Sequence, residues 1–144
     1  MGLGKPAGYS GTPLEKKLGL KEGFIARLIN QPEHYFNLFN MLPGGITFID
    51  DQIPKKHFIH YFTTSSTNLA NDLAPLINEI LQDGMIWISW PKKSSGISTD
   101  CDGNIVREIG LKSGLVDIKI CAIDETWSGL KFVIPLKNRN QGKS

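Results

Sequence analysis

The sequence contains no apolar run approaching the roughly 20 residues of a membrane-spanning helix, and Met1-Gly-Leu-Gly-Lys-Pro at its start carries no hydrophobic leader segment. A membrane-embedded helix is therefore excluded, and a cytoplasmic protein is expected. Cysteine is scarce. Cys101 and Cys121 stand apart with no Cys-x-x-Cys pair, so reduced thiols are expected rather than a disulfide framework, and no metal is indicated. An excess of one charge is also missing: 16 basic against 14 acidic side chains leave +2, and the basic residues are dispersed. That removes the electrostatic footprint of a nucleic-acid or anionic-membrane binder.

No internal repeat or low-complexity tract interrupts the chain. At 144 residues and 40% hydrophobic, it can bury one core without staples, so residues 1–136 are expected to form a single domain. Residues 137–144, KNRNQGKS, are expected to form a frayed tail.

What is present is punctuated α/β patterning. The central stretch is GMIWISWPKKSSGISTD, residues 84–100. Its apolar half is a strand buried on both faces, and its polar half begins where a parallel strand would end, the place where open α/β sheets put ligands. Before it, Thr12, Pro13 and Glu15 spell a capping box for a helix over 13–18, with Gly19 as its stop. Residues 24–29 read as a strand. A helix follows Pro32, with Tyr35, Phe36 and Phe39 on its apolar side. Residues 46–49 form a short strand and 57–62 another. Only seven residues, 50–56, lie between these two, although a parallel crossover usually takes about a dozen. Either the link is unusually tight or 46–49 runs antiparallel at an edge.

The stripe Leu69, Leu73, Leu76, Ile77, Ile80 and Leu81 predicts a helix kinked at Pro75 and ended by Gly84. Thr99 or Asp100 is expected to cap a helix bearing Ile105, Val106 and Ile109, stopped at Gly114. Strands over 116–123 and 130–136, joined by the turn 124–129, close the chain as a hairpin. The fold class is α/β: a three-layer Rossmann-like mixed sheet, mostly parallel, with a C-terminal antiparallel hairpin.

With the strand GMIWISW followed by a helix, a strand, a turn and a final antiparallel strand, the arrangement resembles the C-terminal half of class I S-adenosylmethionine-dependent methyltransferases. The segments GYSGTPLEKKLG, WISWPKK and GLVDIKICAIDETWSGLKFV more closely resemble a family of small bacterial proteins catalogued as a domain of unknown function. This second resemblance spans nearly the whole chain. It implies a fold and no activity. The methyltransferase resemblance implies a glycine-rich loop after the first strand, where residues 28–34, LINQPEH, have no glycine. It further implies that Asp50 or Asp51, about 20 residues after Asn30, matches the acidic residue that holds ribose hydroxyls. The tight 50–56 link implies an abbreviated topology with one strand-helix unit absent.

Parallel strands gather their polar ends at one rim. The candidate ligand-binding residues are Asn30, Glu33 and His34 after the first strand, Trp90, Lys92 and Lys93 after the central strand, and Asp124, Glu125 and Trp127 in the last turn. Lys92 and Lys93 beside Ser94-Ser95-Gly96 suit an anion, against the plain alternative of a solvated loop. Trp90 and Trp127 can stack on a planar ligand or simply pack the rim. Glu33 with His34 is a weak acid-base pair, because adjacent residues diverge, and Asp124 with Glu125 is more simply a solvated turn. His57 and His60, three apart in a strand, fall on opposite faces and make poor joint ligands.

The expectation is a non-catalytic binding or regulatory module for an anionic or planar small molecule or a protein partner, with cofactor and oligomeric state unassigned. The alternatives are a divergent S-adenosylmethionine-dependent methyltransferase and a structural protein that forms an oligomer.

Overall fold

The computed structural model describes residues 11–53 and 55–139. Strands β1 (Ile25–Ile29), β2 (Thr47–Phe48), β3 (Lys56–Phe62), β4 (Ile80–Pro91), β5 (Val116–Ala122) and β6 (Trp127–Val133) form a six-stranded sheet of order β2-β1-β3-β4-β6-β5. The first four run parallel to one another, and β6 lies antiparallel between β4 and β5. This is the expected mixed, mostly parallel α/β sheet. The strand over 46–49 proves parallel, so the link to β3 is the tight one. With only Thr47 and Phe48 paired to β1, there is little strand length to retrace, and no crossover helix is needed.

Helices α2 (Ser66–Glu79) and α3 (Gly103–Lys112) cover one face. There Ile59, Tyr61, Ile86, Ile88 and Phe132 pack on Leu69, Leu73, Leu76 and Val106. The fit is close. A methyl group added at Gly110 of α3 would lie 2.2 Å from the Phe132 ring. The other face is thinner, covered by the five-residue helix α1 (Leu14–Leu18) and by irregular chain around Tyr35 to Leu42. Ala26, Leu28, Phe58, Phe62, Met85 and Trp87 pack there, and the Trp87 indole donates to the Leu18 carbonyl at 2.9 Å.

Several local expectations are corrected. Thr12 does not cap α1; the position before the helix is Pro13, and Glu15 turns away to accept the amides of Asn40 and Met41 at 3.2 and 3.1 Å. The helix expected after Pro32 shrinks to the 3-10 turn Tyr35–Leu38, because that segment must drop Tyr35 into the core beneath it. Gly84 does not end a helix. The strand β4 begins already at Ile80, and Gly84 lies in its irregular start, where an added Cβ would stand 2.9 Å from the Lys56 carbonyl. Pro75 sits inside α2, which runs on to Glu79. The cap of α3 is Asp102, which accepts the Ile105 amide, while Asp100 serves α2 instead, accepting the amide and hydroxyl of Ser66. The last strand starts at Trp127, earlier than expected, and residues Leu136–Asn138 form a 3-10 turn. The expected tail beyond residue 139 and the glycine-rich start before residue 11 lie outside the described residues. Among those described, no helix is long and apolar enough to cross a membrane.

Candidate functional site

The carboxyl ends of β1, β3 and β4 and the turn between β5 and β6 do converge. Asn30 leaves β1 with φ +60, a left-handed conformation an asparagine tolerates, and its amide donates to the Phe62 carbonyl at the end of β3. The Lys92 amide donates to the Thr126 carbonyl at 2.8 Å, tying the end of β4 to the last turn. His34 Nε2 lies 2.8 Å from Asp124 Oδ2, so the chain after β1 reaches across the sheet to that same turn. Asp124 is buried, and its other oxygen accepts the amides of Thr126 and Trp127. A fixed carboxylate thus orients a half-exposed imidazole, the relation of an orienting group to a general base.

The remaining candidates divide. Trp127 packs edge-on to Phe62 at the rim, with ring centroids 5.1 Å apart. Glu33, Lys93 and Glu125 are exposed at the same edge, and no ion pair joins Lys92 or Lys93 among the described residues. Trp90 is a correction as a stacking residue: it points into the helix-covered core and is buried, with Gly103 of α3 against its ring. Alternation along β4 puts Trp90 with Ile86 and Ile88, so the indole belongs to the packing. The pairing of Glu33 with His34 is also replaced, since the imidazole's carboxylate is Asp124.

A cleft of about 330 Å³ opens at the ends of β1 and β2, lined by Leu28, Ile29, Asn30, Gln31, Phe36, Phe48, Ile49 and Asp50. Phe36 is half exposed and packs edge-on to Phe48. Of the two aspartates, Asp50 is the one that lines this cleft; its exposed carboxylate accepts from Arg27 Nε at 3.2 Å. Asp51 instead accepts the Ile53 amide, which holds its carboxyl below the usual range, and the buried Lys56 ammonium at 3.2 Å.

Sequence reasoning missed a buried polar chain under the rim. Tyr35 Oη lies 2.9 Å from His60 Nδ1, and His60 Nε2 lies 2.8 Å from Ser89 Oγ. All three residues are buried. Burial lowers the His60 pKa to about 3 and raises that of the Tyr35 phenol. The imidazole is therefore neutral at ordinary pH and can serve one neighbour as donor and the other as acceptor. The available signal was a histidine and a serine set within the otherwise apolar runs of β3 and β4.

No family model matches the chain, and no curated protein matches it. Solved structures do. The S-adenosylmethionine (SAM) complex of LepI superposes with a TM-score of 0.55 at 12% identity, over 86% of this chain and 47% of that one. Magnesium protoporphyrin IX methyltransferase (ChlM) from Synechocystis with bound SAH gives 0.55 at 10% identity, over 85% and 78%. A TehB-like SAM-dependent methyltransferase from Corynebacterium glutamicum gives 0.53 at 10%, over 85% and 88%. The chain thus spans about half the length of LepI and most of the smaller enzymes. At these identities the likeness is one of fold alone: this chain has a small methyltransferase-like fold.

Proposed function

We propose that this chain is a divergent SAM-binding methyltransferase whose nucleoside lies in the cleft at the ends of β1 and β2. The observation that carries the proposal is the pairing of that cleft with the exposed Asp50 carboxylate at the end of β2, in a fold whose solved examples include SAM and SAH complexes. The lining fits the nucleoside chemically. Asp50 is an acceptor pair for vicinal hydroxyls, Phe36 and Phe48 offer aromatic surface to a planar base, and Asn30 makes by left-handed φ the turn glycine ordinarily makes. When bound, the cofactor supplies an electrophilic methyl group. The chain's own part is to hold the nucleoside, exclude water at the rim and accept the acceptor's proton, for which His34, oriented by Asp124, is the available base. Calorimetric titration with SAH tests the proposal. Saturable binding is expected, and no heat at millimolar SAH removes it.

A second proposal, a binding module without chemistry, is supported by residues 28–34, which carry no glycine to let backbone approach a cofactor closely, and by Lys92 and Lys93, which have no anionic partner among the described residues. SAH binding with no methyl transfer to a panel of phenols, amines and carboxylates would favour it.

A further inference from the structure

We propose that Tyr35 is a positioning residue for both halves of the site, a buried peg that holds Phe36 in the nucleoside cleft and His34 on the Asp124 carboxylate. The role rests on the reading of that cleft, and of His34 as base, given above. Tyr35 is buried, whereas His34 before it and Phe36 after it are half exposed. In a 3-10 turn successive side chains leave the axis about 120° apart, so one that points down sends its neighbours out to either side. His34 stands just before the turn Tyr35–Leu38, and Phe36 is its second residue. On one side the His34 imidazole reaches Asp124 at 2.8 Å; on the other Phe36 meets Phe48 in the wall of the cleft, with ring centroids 5.2 Å apart. The base and the aromatic wall hang from one residue.

The peg is fixed in direction as well as in depth. Its ring stands edge-on to Phe36, Phe39 and Phe62, with centroids 5.4, 5.2 and 5.7 Å away. Packing of that kind would hold a phenylalanine too. The hydroxyl adds direction: Tyr35 Oη lies 2.9 Å from His60 Nδ1, and His60 Nε2 lies 2.8 Å from Ser89 Oγ. Those partners stand on β3 and β4, in the middle of the sheet. Any rotation or sliding of the turn would leave a buried phenol and a buried imidazole unpaired, a larger penalty than the bond's own contribution in place.

The segment that carries the turn is tied down at both ends. At its start the Asn30 side chain donates to the Phe62 carbonyl at 3.1 Å, and at its far end Glu15 accepts the Asn40 and Met41 amides. Between them the backbone contributes bonds from the Tyr35 amide to the Pro32 carbonyl and from the Asn37 amide to the His34 carbonyl, at 3.0 and 2.9 Å. Those bonds are local, so they hold the shape of the turn and not its place over the sheet. Tyr35 sets the place. Rolling the turn to lower Phe36 instead would strip the cleft of its aromatic wall, and lowering His34 would take the imidazole away from Asp124.

The test compares Tyr35→Leu with Leu73→Ala, which loses buried contacts on the helix-covered face, away from the site. In calorimetric titration SAH affinity should fall by at least about tenfold in Tyr35→Leu and stay within about twofold of the wild type in Leu73→Ala. Hydrogen exchange of the Asn37 amide, which donates to the His34 carbonyl, reports on the turn without SAH. It should quicken by at least about tenfold in Tyr35→Leu and keep the wild-type rate in Leu73→Ala. Tyr35→Phe keeps the ring and loses the hydroxyl; it should fall between the wild type and Tyr35→Leu in both readings, and it decides the matter if Tyr35→Leu does not fold. Unchanged Asn37 exchange in the deciding Tyr35 variant, or an equal loss of SAH affinity in Leu73→Ala, overturns the proposal. A wild-type protein that binds no SAH overturns the nucleoside reading instead, and the role of Tyr35 in holding His34 then stands or falls on the Asn37 exchange.

Discussion

The two faces of the sheet are built on different terms. Under α2 and α3 the centre is apolar and the charged groups gather at its border, where Glu79 of α2 meets Arg27 and Lys56, and a glycine at position 110 lets helix and sheet touch. Under α1 the cover is short and irregular, and the layer holds a tyrosine, a histidine and a serine in one hydrogen-bonded chain, with the cleft at one end. The second holds its polar groups in mid-layer, each a stability risk if left unpaired, and it is the one beside the proposed nucleoside cleft.

Acid should separate the faces most. The folded His60 has a pKa lowered to about 3 from 6.5. Below pH 6.5 the unfolded chain takes up a proton that the folded chain refuses, so this stability is present above pH 6.5 and is lost as pH falls toward 3. The loss is on the order of 4 kcal/mol, and in His60→Asn the slope of urea-derived stability against pH should flatten. On the helix-covered face, Leu73→Ala should cost about 3 kcal/mol by leaving a cavity, with the slope against pH unchanged. A slope altered by Leu73→Ala would erase the distinction. Tyr35→Phe leaves His60 Nδ1 without its partner and should cost about 1–2 kcal/mol in the same urea melts. Asp50→Asn, at an exposed carboxylate, should shift stability by less than about 0.5 kcal/mol. It should nonetheless weaken SAH binding by about tenfold, measured by calorimetry.

The helix-covered face was the legible one. The stripe of Leu69, Leu73 and Leu76 and the apolar run of β4 follow helix and strand periods, because their burial is decided by local spacing. The rim was legible as a place, since parallel strands bring Asn30, Lys92 and Asp124 to one edge. Its chemistry was not. The partner of His34 lies ninety positions away, at Asp124, and the partners of His60 come from two other segments. Such pairs are set by strand register and chain crossing, which no local pattern encodes. Glu15 misled for the same reason: a cap motif was present, but the amides of Asn40 and Met41 claimed its carboxylate. Trp90 misled because a strand-end aromatic can face either layer, and alternation from Ile86 and Ile88 decides which.

A crystal structure of the protein grown with SAH tests whether the β1–β2 cleft holds the nucleoside. The ribose hydroxyls are expected within hydrogen-bonding distance of the Asp50 carboxylate and the adenine against Phe36 and Phe48. SAH bound at the Lys92 and Lys93 loop with the β1–β2 cleft empty would contradict it.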